Sequence, residues 1–373
     1  MMHYAVRTLA AAAALAPVAS AAAASRTNMP QGIQGFNSGA FFKDNSAKAQ
    51  SDFEKEMKAA QKLHGSPGLF NSVRLYTNIQ HETEDEPVKA FDAAIATNTT
   101  LLLGIWCSGT ASIDQELDTL KKYLDSDKGP ALADLVVGLS VGSEDLFRQS
   151  EKGIKNKSGP GAGPKVIVDF IKHARDELKG TALADIPVGH VDTWNAWGNR
   201  TNKAVLDAVD FVGVDIYPFF EDDLGNAFAN VTEVWNYTLG VAERAADAAG
   251  GKPLWFTETG WPSSGQKWGD AEPAPASAAA YWQQIGCRLL FGRRNVWWFT
   301  LEDTNPEDKQ RFAITDGELS TKPNFNLTCA ADSRAPAAIN TEEVDEESAA
   351  AYRGVSKAVG LVAAAAAAVV LVF

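Results

Sequence analysis

The sequence is poor in the residues that build metal centres and disulfide scaffolds. It has three cysteines and five histidines in 373 residues, and they do not follow the paired spacings of zinc sites. It also lacks the glycine-rich loop that cradles phosphates. With 47 acidic residues against 34 basic ones, the formal net charge is −13, which argues against nucleic acid or an anionic membrane surface as a partner. We therefore expect no metal and no cofactor.

Apolar stretches at the two ends of the chain have the character of processing signals. Residues 1–24 combine weak positive charge, an alanine-rich run and small residues, which predicts a secretory signal peptide; an alanine-rich first helix is the alternative. Residues 358–373 are apolar to the last residue and follow small residues and a mostly polar spacer. This pattern predicts glycosylphosphatidylinositol attachment at Ser348 with removal of residues 349–373; a C-terminal membrane helix is the alternative.

Between these signals, residues 25–330 predict one large domain, expected to be a monomer, and the acidic stretch 331–348 predicts a flexible stalk. Cys287 and Cys329 bracket the last part of the domain and are candidates for a disulfide, whereas Cys107 ends an apolar run and suits a buried thiol. Export agrees with six candidate glycosylation sequons, at Asn98, Asn156, Asn199, Asn230, Asn236 and Asn326.

Eight short apolar runs predict eight β-strands. They cover residues 35–42, 71–78, 100–107, 135–144, 187–197, 211–220, 253–262 and 295–303. Helix-like stretches lie between them, at residues 46–63, 87–96, 112–124, 165–178, 201–208, 231–249 and 276–290. Alternating strands and helices predict a parallel sheet, and eight repeats favour a (β/α)8 TIM barrel. The alternative, an open doubly wound sheet, would carry a glycine-rich first turn or a nucleophile elbow, and the sequence has neither.

The carboxyl ends of the predicted strands, where barrels of this kind place their active sites, carry carboxylates and aromatic side chains. Glu144 and Glu258 each follow directly from an apolar run, so neither lies on an ordinary polar face. Two such glutamates suit glycoside hydrolysis, in which one protonates the leaving oxygen and the other attacks the anomeric carbon or activates water. Trp261 and Trp194 are candidate platforms for sugar rings, with core packing as the alternative.

Two segments resemble the signatures of glycoside hydrolase family 17, the β-1,3-glucanase family. LWFTETGWPSSG, residues 254–265, resembles the nucleophile segment, and VGLSVGSEDLFR, residues 137–148, resembles the acid/base segment. The resemblance extends over roughly residues 32–329. It implies a retaining mechanism with Glu258 as nucleophile, Glu144 as general acid/base and Tyr217 beside the nucleophile. It also implies a further acidic residue near the site at Glu302.

The sequence departs from this family at two positions. Ser143 replaces the asparagine that often precedes the acid/base and can bond a sugar hydroxyl, and Asp215 stands where relatives often have asparagine. We expect Ser143 and Tyr76 to contact the substrate.

The resemblance and the terminal signals together imply an enzyme that acts on β-1,3-glucan at the outer plasma membrane and cell wall. A transglycosylase that uses the same site is one alternative, because a sugar hydroxyl can intercept the same intermediate. A glucan-binding wall protein without activity is another.

Overall fold

A computed structural model describes residues 29–221 and 231–330. The predicted signal peptide at residues 1–24, the sequon at Asn230, the stalk at 331–348 and the attachment site Ser348 with residues 349–373 lie outside the described residues. Within the two described ranges, every helix is too short or too polar to cross a membrane.

Eight parallel strands close into a barrel in chain order, which confirms the predicted (β/α)8 fold. Strand β1 pairs with β9, so that Gly35 lies opposite Trp297 and the sheet has no free edge. A short antiparallel pair, β8 and β10, lies outside the barrel. The strands are β1 Gln34–Asn37, β2 Ser72–Arg74, β3 Thr100–Ile105, β4 Val136–Ser143, β5 Val188–Thr193, β6 Phe211–Ile216, β7 Leu254–Thr259, β8 Ser264–Gly265, β9 Val296–Trp298 and β10 Gln310–Arg311.

Helices connect the barrel strands, as expected for parallel neighbours. The longest, Val231–Ala249, has the bounds predicted from the sequence. The α-helices span Gln50–Gln61, Ala90–Thr97, Asp114–Leu124, Gly129–Ala133, Asp145–Arg148, Glu151–Lys155, Pro164–Leu178, Trp194–Gly198, Lys203–Ala208, Val231–Ala249 and Pro275–Tyr281, and a π-helix continues the last one over Trp282–Leu290.

Several strands end earlier than predicted, because the chain turns into rim loops at their carboxyl ends. The predicted strand 187–197 ends at Thr193 and continues as the helix Trp194–Gly198. The predicted strand 211–220 ends at Ile216, since Pro218 lacks the N–H of a ladder residue and begins a 3-10 turn. These turns carry aromatic residues that the sequence pattern assigned to strands.

Aromatic side chains fill the part of the barrel nearest the amino ends of its strands. Phe211 stacks on Trp255 with ring centroids 3.8 Å apart, and Trp297 packs beside them. A larger apolar cluster lies between the strands and the helices. Polar side chains are thereby left to the carboxyl ends of the strands. At the periphery, a disulfide joins Cys287 to Cys329, and Cys107 is a buried free thiol.

Candidate active site

Glu258, the penultimate residue of β7, is held by donors on both of its carboxylate oxygens. Its Oε1 accepts hydrogen bonds from the Arg74 guanidinium at 2.5 Å and from the Tyr76 hydroxyl at 2.7 Å. Its Oε2 accepts from the Tyr217 hydroxyl at 2.8 Å. Glu258 is 1% exposed. A buried carboxylate is stable only when paired and hydrogen-bonded, and these three donors meet that need.

Arg74 and Asn37 are site residues that sequence reasoning missed. Arg74, 1% exposed, also donates to Asn37 Oδ1 at 2.9 Å and to the Ser143 hydroxyl at 2.9 Å. Asn37 in turn donates to the backbone carbonyls of Thr257 and Trp297. Arg74 thus links the strand that carries Glu258 to the end of β4. The available signal was a charged residue between two apolar ones, Val73 and Leu75, in a predicted strand.

The tyrosines beside Glu258 are held as hydrogen-bond donors. Burial and the neighbouring Glu258 carboxylate raise the pKa of both Tyr76 and Tyr217 well above the ordinary value. Both hydroxyls therefore keep the protons that they donate to Glu258. The structure places Tyr217 as the family resemblance implies, and places Tyr76 against the carboxylate.

Glu144 follows β4 in a left-handed backbone conformation, with φ of 56°. Such a conformation is uncommon outside glycine and often marks functional positions. Burial raises the pKa of Glu144 to about 8, the Arg148 guanidinium 3.8 Å from its Oε2 opposes this, and the charge of Glu258 adds to it. Glu144 is therefore mostly protonated at neutral pH, while the hydrogen bonds around Glu258 suit an ionised carboxylate.

A buried ion pair supports the turn that carries Glu144. Both ring nitrogens of His190 face acceptors, Nδ1 the Val141 carbonyl at 2.6 Å and Nε2 the Asp192 carboxylate at 3.1 Å. Burial favours the neutral ring, but these acceptors outweigh it and raise the pKa of His190. Asp192 also accepts from the backbone N–H groups of Leu146 and Phe147, which directly follow the turn.

A cleft opens over these residues and is walled by aromatic side chains. Glu144, Tyr217 and Trp194 line it together with Phe220, Trp268 and Phe312. It adjoins a second hollow lined by Tyr76, Phe299 and Glu302, which adjoins a third lined by Trp106 and His81. Glu258 is buried beneath them and bonds Tyr217, which lines the first hollow, and Tyr76, which lines the other two. The first two hollows share Phe299, and the second and third share Tyr76.

The prediction that Trp261 forms a sugar platform is wrong. Trp261 is 6% exposed, packs against Phe219 and Tyr281, and donates its indole N–H to the carbonyl of Glu272. Trp261 lies just beyond the end of β7, and its ring belongs to the apolar cluster between the strands and the helices. Trp194 does line the cleft, with its N–H bonded to Glu221.

Two further residues predicted near the substrate, Ser143 and Glu302, have these surroundings. The Ser143 hydroxyl accepts a hydrogen bond from Arg74 at 2.9 Å, which leaves its own O–H to donate elsewhere. Glu302 lines the adjoining hollow, where burial raises its pKa, and no direct bond joins it to either glutamate among the described residues.

The predicted sequons differ in their surroundings. Asn156 lines the cleft beside Glu144 and is half-buried. The other described sequon asparagines are exposed: Asn98, Asn199, Asn236 and Asn326.

Within residues 29–221 and 231–330, no group of three or more His, Cys, Asp or Glu side chains is arranged to hold a metal ion.

Comparisons with known proteins agree with this geometry. The chain is 45% identical over 309 residues to a probable glucan endo-1,3-beta-glucosidase of Aspergillus oryzae, an alignment that covers 83% of this chain and 65% of that protein. It is 46% identical over 297 residues to the Aspergillus niger protein of the same name, covering 79% of this chain and 63% of that one. The chain thus spans less than two thirds of the length of these relatives.

A solved structure shares the fold. It is that of a glycoside hydrolase family 17 beta-1,3-glucanosyltransferase from Rhizomucor miehei, with a TM-score of 0.63 and 20% identity over 80% of this chain and 98% of that one. The model of the BtgE/BtgC glycoside hydrolase domain matches residues 35–315. This range includes both glutamates and all of the barrel strands except Gln34, the first residue of β1. This protein therefore belongs to the BtgE/BtgC glycoside hydrolase domain family.

Proposed function

We propose that this protein is a retaining endo-β-1,3-glucanase in which Glu258 is the nucleophile and Glu144 the general acid/base. One observation carries the proposal: the surroundings of two buried glutamates, at the carboxyl ends of β4 and β7, favour opposite protonation states. Burial and the charge of Glu258 favour the protonated form of Glu144, whereas an arginine and two tyrosines bind the carboxylate of Glu258. Glycoside hydrolysis needs one carboxyl group of each kind.

The reaction has two steps. In the first, a Glu258 oxygen attacks the anomeric carbon while Glu144 gives its proton to the departing glycosidic oxygen, which leaves a glycosyl ester on Glu258. In the second, the Glu144 carboxylate takes a proton from water as the water oxygen attacks the same carbon and releases Glu258. Two inversions at one carbon retain its configuration.

The two carboxylate oxygens of Glu258 are bound by different donors. Tyr217 bonds Oε2, whereas Arg74 and Tyr76 bond Oε1. When one oxygen becomes the ester oxygen, the other keeps its donors, so the carboxyl group stays oriented through both steps. Arg74 also keeps a positive charge next to the carboxylate that must return at the end of the cycle.

The adjoining hollows suit a polymeric substrate. Glu144 lines the first hollow together with Trp194 and Trp268, and Trp106 lines the third. Aromatic faces provide large apolar contact at low entropic cost, which suits sugar rings. Three adjoining hollows offer more room than one sugar unit needs, which suits cleavage within a chain, and the names of the Aspergillus relatives support β-1,3-glucan as that chain.

Product analysis tests this function. The purified protein is incubated with a defined linear β-1,3-gluco-oligosaccharide, and products are separated by size while NMR follows their anomeric configuration. Shorter products that keep the β configuration are expected. Early products longer than the substrate would instead indicate transglycosylation, and an unchanged substrate would contradict enzymatic activity on this glucan.

We also propose that the protein is exported and held by a lipid anchor at Ser348 on the outer plasma membrane, next to the cell wall. The apolar residues 1–24 and 358–373 and the small residues around Ser348 support this. A phospholipase specific for phosphatidylinositol should release the protein from intact cells, and Ser348→Leu should prevent surface attachment. Retention after phospholipase treatment would favour a membrane helix.

A further inference from the structure

Asp215 is a buried carboxyl group to which the two-step reaction assigns no part. It is 1% exposed and belongs to the wall of the cleft. Its Oδ1 accepts a hydrogen bond from the Thr257 hydroxyl at 2.7 Å, and its Oδ2 has no hydrogen-bond partner among the described residues. A buried carboxylate with an unsatisfied oxygen is costly, whereas the protonated acid carries no net charge. This geometry therefore favours the neutral form.

The charges around Asp215 agree with that form. The titratable groups that face it are Glu258 on β7, Glu144 at the end of β4, Arg74 on β2, Tyr76 and Tyr217. Arg74, the cation of this group, is already bonded to Glu258, and among the described residues no cationic nitrogen forms an ion pair with Asp215. An ionised Asp215 would thus be a second negative charge beside the nucleophile.

Asp215 also accepts a hydrogen bond at a point where the register between β6 and β7 shifts, next to the proposed nucleophile. Along β6 and β7, Val214 pairs with Phe256, but the next residue, Asp215, pairs with Glu258. Thr257 is therefore the extra residue of a β-bulge, and its hydroxyl donates to Asp215. Bulges beside active sites re-aim the side chains that follow them. The orientation of the Glu258 side chain thus depends on a bulge that is stabilised by the hydrogen bond between Thr257 and Asp215.

We propose that Asp215 is a positioning residue for Glu258 that acts as a neutral carboxylic acid, fastening the bulge at Thr257 without adding a negative charge beside the nucleophile. Its effect on turnover rests on the proposed function of Glu258. In this role the neutral aspartic acid resembles an asparagine, because both are uncharged and both offer an oxygen that accepts from Thr257. This accounts for an acidic residue at a position where an asparagine would also fit.

The protonation state is tested without any activity assay. Burial and the charge of Glu258 raise the pKa of Asp215 well above its ordinary value, so the folded protein holds a proton that the unfolded chain releases above a pH of about 3.9. Stability contributed by this proton is then lost as pH rises above that value. Asp215→Asn has no such proton, so its urea midpoint should rise relative to wild type as pH increases from about 4 to about 7.

Asp134→Asn, the same change at an exposed position, is the control and should show a constant difference from wild type. A difference for Asp215→Asn that stays constant, or that reverses so that the variant loses relative stability at neutral pH, would overturn the neutral acid. These measurements use the full chain and do not depend on glucan cleavage, so they stand even when the proposed function fails.

The positioning role is tested by kinetics on the linear β-1,3-gluco-oligosaccharide. Asp215→Asn keeps an oxygen that accepts from Thr257, whereas Asp215→Ala does not, so the alanine variant should have a kcat/KM about tenfold lower than the amide variant, the equivalent of one hydrogen bond. Thr257→Val should lower kcat similarly, and adding it to Asp215→Ala should cost little more. Equal kcat/KM for the amide and alanine variants, or additive losses, would overturn the role.

Discussion

The carboxylate of Glu258 is bound by side chains from the ends of two other strands, β2 and β6, so its replacement tests the reaction while the surrounding hydrogen bonds are largely kept. Glu258→Gln preserves the shape of the side chain and removes the proposed nucleophile. We expect no measurable cleavage of a β-1,3-gluco-oligosaccharide, with binding retained in calorimetry. Glu318→Gln, an exposed change, is the control. Full activity of the Glu258 variant would exclude its role as nucleophile.

The loss of rate caused by replacing Glu144 should depend on the basicity of the leaving group, because only a basic leaving group has to be protonated as it departs. Glu144→Gln should lower kcat on glucan by about 10²–10⁴-fold, the usual contribution of general acid catalysis. With an aryl glycoside whose leaving group is already a weak base, formation of the glycosyl ester should be nearly normal. Burst kinetics distinguish these cases, and an equal loss on both substrates would contradict the acid/base assignment.

The protonation of Glu144 also predicts the alkaline limit of activity. Its pKa is raised to about 8, and the first step needs the protonated form, so kcat/KM should fall as pH rises through about that value. The Arg148 charge lowers this pKa, so Arg148→Gln should move the alkaline limit upward. The full pH profile of both proteins checks this, and a downward shift would contradict the assignment.

At the scale of elements, the backbone at the end of β4 requires a glycine at position 142. Gly142 has φ of 89°, and a Cβ there would lie 2.4 Å from Asp145 Oδ2 and 2.9 Å from the His190 ring. Gly180 has a similar φ of 81° with no atom within 4 Å. Gly180→Ala should therefore cost about 1 kcal/mol, and Gly142→Ala at least about 2 kcal/mol more in urea unfolding, together with loss of activity. Equal costs would contradict this.

The sequence pattern predicts the elements of this fold better than the side chains at its rim. Apolar runs located all eight barrel strands, since burial on both faces of a parallel sheet demands such runs. Glu144 and Glu258 could be found because each interrupts an apolar run. Trp261 could not be placed, because its ring packs against Phe219 and Tyr281 from other parts of the chain, and a local pattern does not show such contacts. The partners of Arg74 lie on strands distant in sequence, so local patterns do not contain them.

For the molecule as a whole, the disulfide ties the end of the domain to the last long helix. Cys287 and Cys329 are 42 residues apart, and closing a loop of that length stabilises the fold by up to about 4 kcal/mol in the chain-entropy model. Cys287→Ser with Cys329→Ser should lower the free energy of unfolding by up to that amount while kcat stays unchanged, because the bond lies outside the cleft. Cys107→Ala, which breaks no cross-link, is the control; a loss of kcat without a loss of stability would contradict this.

Closure of the barrel by β1 and β9 has a consequence for the growing chain on the ribosome. Arg74 is made early, but its carboxylate partner Glu258 follows 184 residues later, and the strand that closes the sheet comes later still. A nascent chain therefore carries a cation destined for burial long before its counter-ion exists. The site is assembled only when nearly the whole domain has been synthesised, so a truncated or stalled chain lacks the buried pair of Arg74 and Glu258.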